Sequence, residues 1–205
     1  MKPTYFIDSE SKEVLNLANK LTEGVDDLIE KAKLIFYWTR DEIFYNPYDS
    51  FTFNKIDYKA SSIIKQKQGW CVQKACVLCA LARSLQIPSR FHFADIKNYR
   101  IPEKLLKAMK INLFVYHGYS ELWINDAWIK ATPAFNISLC EKFNLKTVEF
   151  DGIHDGMLPE TTLDGHKYIE YIKDRGVTSD FPFDILLETI RKYYNTSNWD
   201  NRSEI

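Results

Sequence analysis

From Asp8-Ser9 onward the apolar residues Val14, Leu15, Leu17, Ala18 and Leu21 recur at helical spacing, which predicts a first helix stopping at Gly24. Asp27, followed three residues later by Glu30, has the form of a capping box. Leu28, Ala32, Ile35, Phe36, Thr39 and Ile43 then make one apolar stripe, predicting a second helix packed on the core. Asn46 to Asp57 holds turn formers and no sustained period, so it reads as a surface loop, and Ser61 or Ser62 can cap a short helix leading to Gly69. Ala75, Leu78, Cys79, Ala82 and Leu85 carry a central helix from Cys71 to Ile87-Pro88, where proline disfavours continuation.

Past Pro88 the period changes. Arg90-Phe91-His92-Phe93 alternates as a strand does, and Pro102 can open a short helix through Glu103, Leu105 and Met109. Leu113 to Ile124 and Ala127 to Phe135 are rich in aromatic and aliphatic residues and flank Asn125-Asp126, a pair suited to a tight hairpin turn. With those two residues at the turn, Trp123 faces Trp128, Glu121 faces Lys130 and Tyr119 faces Thr132. Alternation then puts His117, Tyr119, Glu121, Trp123, Trp128, Lys130 and Thr132 on one face. Glu121 and Lys130 are expected to form an exposed cross-strand ion pair. From Cys140 on, turn-like pieces at Asp151-Gly152, His154-Asp155-Gly156 and Asp164-Gly165-His166 precede amphipathic stretches around Tyr168–Ile172 and Ile185–Tyr194, with a frayed end after Asn195. The expected organisation is a core over residues 1–140 and a C-terminal extension over 141–205 folded onto it.

Composition narrows the function classes. A chain of 205 residues with 45% hydrophobic content can bury a substantial core. A formal charge of −1 supplies no cationic excess for nucleic acid or an anionic membrane. Met1 to Asp8 lacks a signal-peptide apolar run and no later stretch is apolar enough to span a bilayer, so a cytoplasmic protein is expected. Four cysteines, three of them crowded at positions 71, 76 and 79, are unlike a secreted disulfide framework, and reduced thiols follow.

The candidate chemistry centres on Gln68-Gly69-Trp70-Cys71. A cysteine at a helix start meets unpaired N–H groups and the positive end of the helix dipole, which favour thiolate and can hold a developing oxyanion. A buried helical cysteine acting as a small hydrophobe is the bland alternative. Cys76 and Cys79, farther along the same helix, are expected to be structural.

Helix-start cysteine, strand and histidine-bearing hairpin, in that order, resemble the transglutaminase-like superfamily, whose core is a papain-like α+β cysteine fold. Gly69-Trp70-Cys71-Val72-Gln73-Lys74-Ala75 is similar to that family's G-x-C helix, and Ile87-Pro88-Ser89-Arg90 to its G-I-P-x-R strand entry, with Gln86 where glycine is usual. His117-Gly118-Tyr119-Ser120-Glu121 resembles the H-x-aromatic-x-E strand, and Trp128 to Pro133 the following W-x-x-x-D-P run. The aspartate of that run is replaced by Thr132. The resemblance implies that Cys71 attacks an amide or ester carbonyl and that His117 is its base. It also implies that Thr132 stands in the orienting position, with Trp70, Gln68 and Tyr119 beside the oxyanion or substrate. A neutral acceptor stabilises imidazolium less than a carboxylate does, and Asp151 or Asp155 could substitute for it. Peptides, proteins or small amides are the implied substrates, with no cofactor or metal; the paired Cys-x-x-Cys motifs of the glycan-releasing branch are missing.

Three rival readings remain. Cys71, Cys76 and Cys79 have the C-x4-C-x2-C spacing of plant-type iron–sulfur proteins, with Cys140 as a fourth ligand, but a continuous helix turns them apart. His154, Asp155, Asp164 and His166 could bind a metal, although histidines near turns are more often solvated. The third is a peptide-binding module that keeps the cleft, with Trp70, Tyr119, Trp123 and Trp128 as its aromatic supply, and has lost the chemistry.

Overall fold

The structure, a computed structural model, describes residues 1–48 and 52–194. Part of the expected 46–57 loop and the expected frayed end after Asn195 lie outside the described residues.

Helix α1 (Lys12–Leu21) is capped by the Ser11 hydroxyl, three residues later than the sequence suggests. Helix α2 (Leu28–Glu42) starts as expected, with the Asp27 carboxylate accepting from the Glu30 N–H. Strand β1 (Phe44–Tyr45) runs parallel to β2 (Gln68–Gly69), bracketing a 3₁₀ turn (Lys55–Tyr58) and α3 (Ala60–Gln66). Neither Ser61 nor Ser62 caps α3. Both lie inside it, and the Ser61 N–H is taken by the carboxylate of Asp8, a partner 53 residues away in the chain.

Helix α4 (Cys71–Ser84) is the axis of the molecule: every residue from Cys71 to Arg83 is buried, where the sequence suggests a single apolar face. It is enclosed by α1, α2 and α3 on one side and by the sheet on the other. Its buried polar residues are therefore partnered inside. The Lys74 ammonium donates to the Arg40 and Ile43 carbonyls that end α2, and Gln73 takes the Trp70 N–H and donates to the Asp57 carbonyl. The helix closes on a left-handed turn. Gln86 has φ 61, with its N–H on the Arg83 carbonyl and that of Ile87 on Ala82. That conformation suits glycine, which is why Gln86 stands out in the helix-to-strand junction; a side chain there costs about 1 kcal/mol.

The antiparallel sheet has the order β5-β4-β3-β6, formed by β3 (Ser89–Asn98), β4 (Leu113–Ile124), β5 (Ala127–Ala131) and β6 (Ile169–Thr178). Short α5 (Glu103–Met109) lies between β3 and β4, α6 (Ile137–Lys142) follows β5, and α7 (Phe183–Tyr193) ends the described chain. Asn125 and Asp126 have φ 49 and 62, and Trp123 pairs with Trp128 and Glu121 with Lys130, as the hairpin argument requires. The expected pair of Tyr119 with Thr132 does not form. Strand β5 leaves β4 after Ala131, because the Thr132 N–H goes instead to the Gly156 carbonyl. Strand β6 overlaps the amphipathic stretch around Tyr168–Ile172 only at its start: it is an edge strand whose largely exposed remainder is held by pairing with β3 rather than by burial.

Candidate active site

Cys71 occupies the first position of α4, where the chain enters from β2. Gly69 needs space here rather than an unusual backbone angle, since a Cβ would stand 3.1 Å from Gln73 Cβ. A second glycine brings the helix start onto the sheet. A Cβ at Gly118 would lie 2.8 Å from Val72 Cγ1 and 3.3 Å from Val72 Cα, so only glycine lets the first turn of α4 lie this close to β4. The Gly118 N–H then faces the Cys71 sulfur, as do those of Val72 and Cys71 itself.

The protonation state differs from the expectation at a helix start. Burial is the largest influence on the thiol and outweighs those three N–H groups, pushing Cys71 up to about 11; the resting group is a thiol. Burial alone acts on His117, which it holds down to about 3, so the imidazole is neutral at pH 7. Its Nε2 is buried with no hydrogen-bond partner. Among the described residues no charged group contributes to the His117 shift.

Thr132 is fully buried, and its hydroxyl donates to Met157 Sδ at 3.6 Å rather than to the histidine. Facing Thr132 is Tyr171 from β6, whose ring lies edge-on to His117 with centroids 6.3 Å apart and whose phenol is raised chiefly by burial. Tyr119 stacks on His92 at 4.8 Å and lies 6.1 Å from the His117 ring. Gln68 accepts from the Asn46 side chain at 3.2 Å, and Trp70 is the residue preceding the helix. Asp155 accepts from the Lys130 N–H and lies 3.7 Å from the Lys130 ammonium. Asp151 is bound to the exposed His154 at 2.7 Å.

Glu121 corrects the expected exposed pair with Lys130. Strand β3 sets Arg90 opposite it and His92 beside it, and the carboxylate is buried between the two, 2.6 Å from Arg90 Nε and 2.6 Å from His92 Nδ1. Asp174 of β6 lies 2.9 Å from His92 Nε2, so this polar cluster ties the edge strand to the centre of the sheet. Nothing in the hydrophobic pattern marks His92 or Asp174.

All four cysteines are free; the Cys76 thiol donates to the Phe6 and Tyr58 carbonyls. Among the described residues no three His, Cys, Asp or Glu side chains converge as a metal site. Among the described residues no helix is long and apolar enough to cross a membrane. A cleft of about 320 Å³ has Tyr45, Phe114, Phe135 and Tyr168 in its walls, and neither Cys71 nor His117 is among its lining residues. Tyr45 pairs with Gly69 across β1 and β2, and the nearby Cys71 raises its phenol further after burial.

A buried helix opening on a cysteine, packed against an antiparallel sheet that carries a histidine, defines a papain-like α+β cysteine fold. The family model of the transglutaminase-like superfamily matches residues 15–133, and the chain belongs to that superfamily. No curated protein matches it. Among solved structures it is similar to a "Putative Cysteine Protease" from Cytophaga hutchinsonii, with 18% identity over 87% of this chain and a TM-score of 0.53. The chain spans 45% of that structure's length. A "putative protease" from Parabacteroides distasonis is 12% identical over 62% of this chain and 24% of its own, with a TM-score of 0.44.

Proposed function

We propose that the protein transfers or hydrolyses an acyl group at an amide or ester carbonyl through a thioester on Cys71. The observation that supports this best is the close approach at Gly118, which leaves the Cys71 sulfur beside a backbone N–H adjacent to His117. With a thiol and a neutral imidazole at rest, the ion pair is not preformed, and attack is base-assisted. Sulfur bonds to the carbonyl carbon as the S–H proton passes to His117, and helix-start N–H groups hold the oxyanion. His117 then returns the proton to the leaving amine or alcohol. Water or an amine resolves the thioester. Binding the substrate beside Cys71 is the step that brings carbonyl, thiol and imidazole together.

Trp70, Gln68 and Tyr119 are assigned to the surroundings of substrate and oxyanion, and Thr132 to orientation of His117 by way of Tyr171. The missing carboxylate and the protonated thiol favour a second reading, a peptide-binding module with impaired chemistry. Incubation with p-nitrophenyl acetate separates the two. An enzyme gives a burst of p-nitrophenolate and an acetyl adduct that peptide mapping places on Cys71, absent in Cys71→Ala and formed at least about 100-fold more slowly in His117→Ala. An unmodified Cys71 would leave the binding module.

A further inference from the structure

The cleft walled by Tyr45 has a composition that selects its occupant. Its walls are rings and aliphatic side chains, Tyr45, Phe114, Phe135 and Tyr168 among them, while its charged lining residues are Arg100 and Lys142. Among the described residues no Asp or Glu lines it. A third cation, Lys104, stands 5.3 Å over the ring of Tyr48, another wall residue. The cations are weakly engaged: Arg100 reaches Asp164 only at 4.0 Å, and Lys142 lies 5.7 Å from the Phe143 ring centroid. An apolar pocket whose charged lining residues are both cations, Arg100 with Asp164 at 4.0 Å and Lys142, suits an apolar group joined to an anion.

Position connects the cleft to the chemistry. Tyr45 is both a wall residue and the β1 partner of Gly69, two residues before Cys71. We infer that this cleft receives the acyl donor and that the preferred donor carries an aromatic or long apolar side chain with a carboxylate next to it. In that arrangement the side chain lies among Phe114, Phe135 and Tyr168, and the carboxylate lies at Arg100 and Lys142. The inference rests on the reading of Cys71 as nucleophile, for that alone makes the occupant an acyl donor.

Two measurements keep the two readings apart. The first is calorimetric titration of the full chain carrying Cys71→Ala with N-succinyl-L-phenylalanine amide and with N-acetyl-L-phenylalanine amide, which share the ring and differ in the carboxylate. The succinyl compound should bind about fivefold more tightly at low salt, and the ratio should fall towards one at high salt and in the Arg100→Gln/Lys142→Gln variant. The second compares the p-nitrophenyl esters of N-succinyl-phenylalanine, N-acetyl-phenylalanine and N-succinyl-alanine as acylating agents of the native chain. The first ester should acylate Cys71 fastest. Equal binding of the two amides, or a preference that persists in the double variant, would overturn the inference even if p-nitrophenyl acetate acylates Cys71. A carboxylate preference without acylation of Cys71 by any ester would instead overturn the nucleophile, and with it the description of the occupant as an acyl donor.

Discussion

At the scale of single residues, the protein sets two opposing influences on one sulfur. The helix start and the Gly118 N–H pull the Cys71 thiol towards ionisation, and burial pushes it up to about 11. Cys140, which has no helix start, is pushed to about the same value by burial, so position alone does not make Cys71 the more acidic thiol. Without substrate, alkylation of Cys71 by iodoacetamide should therefore be slow at pH 7 and rise about tenfold per pH unit until near pH 10, followed by mass spectrometry of the labelled peptide. A rate that is high and flat from pH 6 to 9 would mean that a thiolate is already present. Thr132 belongs to the same scale. Where a carboxylate would stabilise imidazolium, the threonine hydroxyl is bonded to a thioether, and His117 stays neutral.

Among the elements, the contact that matters most is α4 against β4. Gly118 accepts the helix start at a separation that leaves no room for a methyl group, with a backbone atom as well as a side chain in the way. Gly118→Ala should cost roughly 1–3 kcal/mol in urea unfolding, because Val72 Cα cannot rotate aside. It should also suppress acylation of Cys71 by far more than that loss explains, since the displaced helix carries the sulfur away from the Gly118 N–H. A variant of native stability with full acylation would show that the close approach is dispensable. The same elements show what was legible in the chain. Strands β4 and β5 pair as their residue pattern requires through Trp123–Trp128 and Glu121–Lys130, because a two-residue turn with two positive φ angles sets the register locally. The pattern misses where β5 departs, since the Gly156 carbonyl that takes the Thr132 N–H comes from a distant loop.

For the molecule as a whole, burying a neutral histidine makes stability depend on pH. The unfolded chain protonates His117 near its ordinary value of 6.5, whereas the folded protein resists until about pH 3. Between those values the unfolded state binds more protons, so this contribution is complete above about pH 6.5 and is lost as pH falls through the window. The loss amounts to roughly 3–5 kcal/mol by pH 3. Urea midpoints measured from pH 7 to 4 should accordingly fall, and His117→Gln should flatten part of that slope. An unchanged slope would place the acid sensitivity in other groups. Family membership rests on residues 15–133, yet β6, with Tyr171 and Asp174, comes from beyond them and completes both the sheet and the surroundings of His117.

The sequence by itself determined the helices α1, α2 and α4, the β4–β5 hairpin and the placement of a cysteine at the start of the central helix. Those features follow from side-chain period, caps and turn residues, which act over a few positions. Tertiary structure alone decided that Glu121 is buried beside Arg90 and His92, that Asp8 rather than a nearby serine caps α3, and that the C-terminal segment supplies the edge strand β6. It also decided the protonation of Cys71 and His117. Burial is set by everything packed around a group, and here the enclosing residues come from elements far apart in the chain.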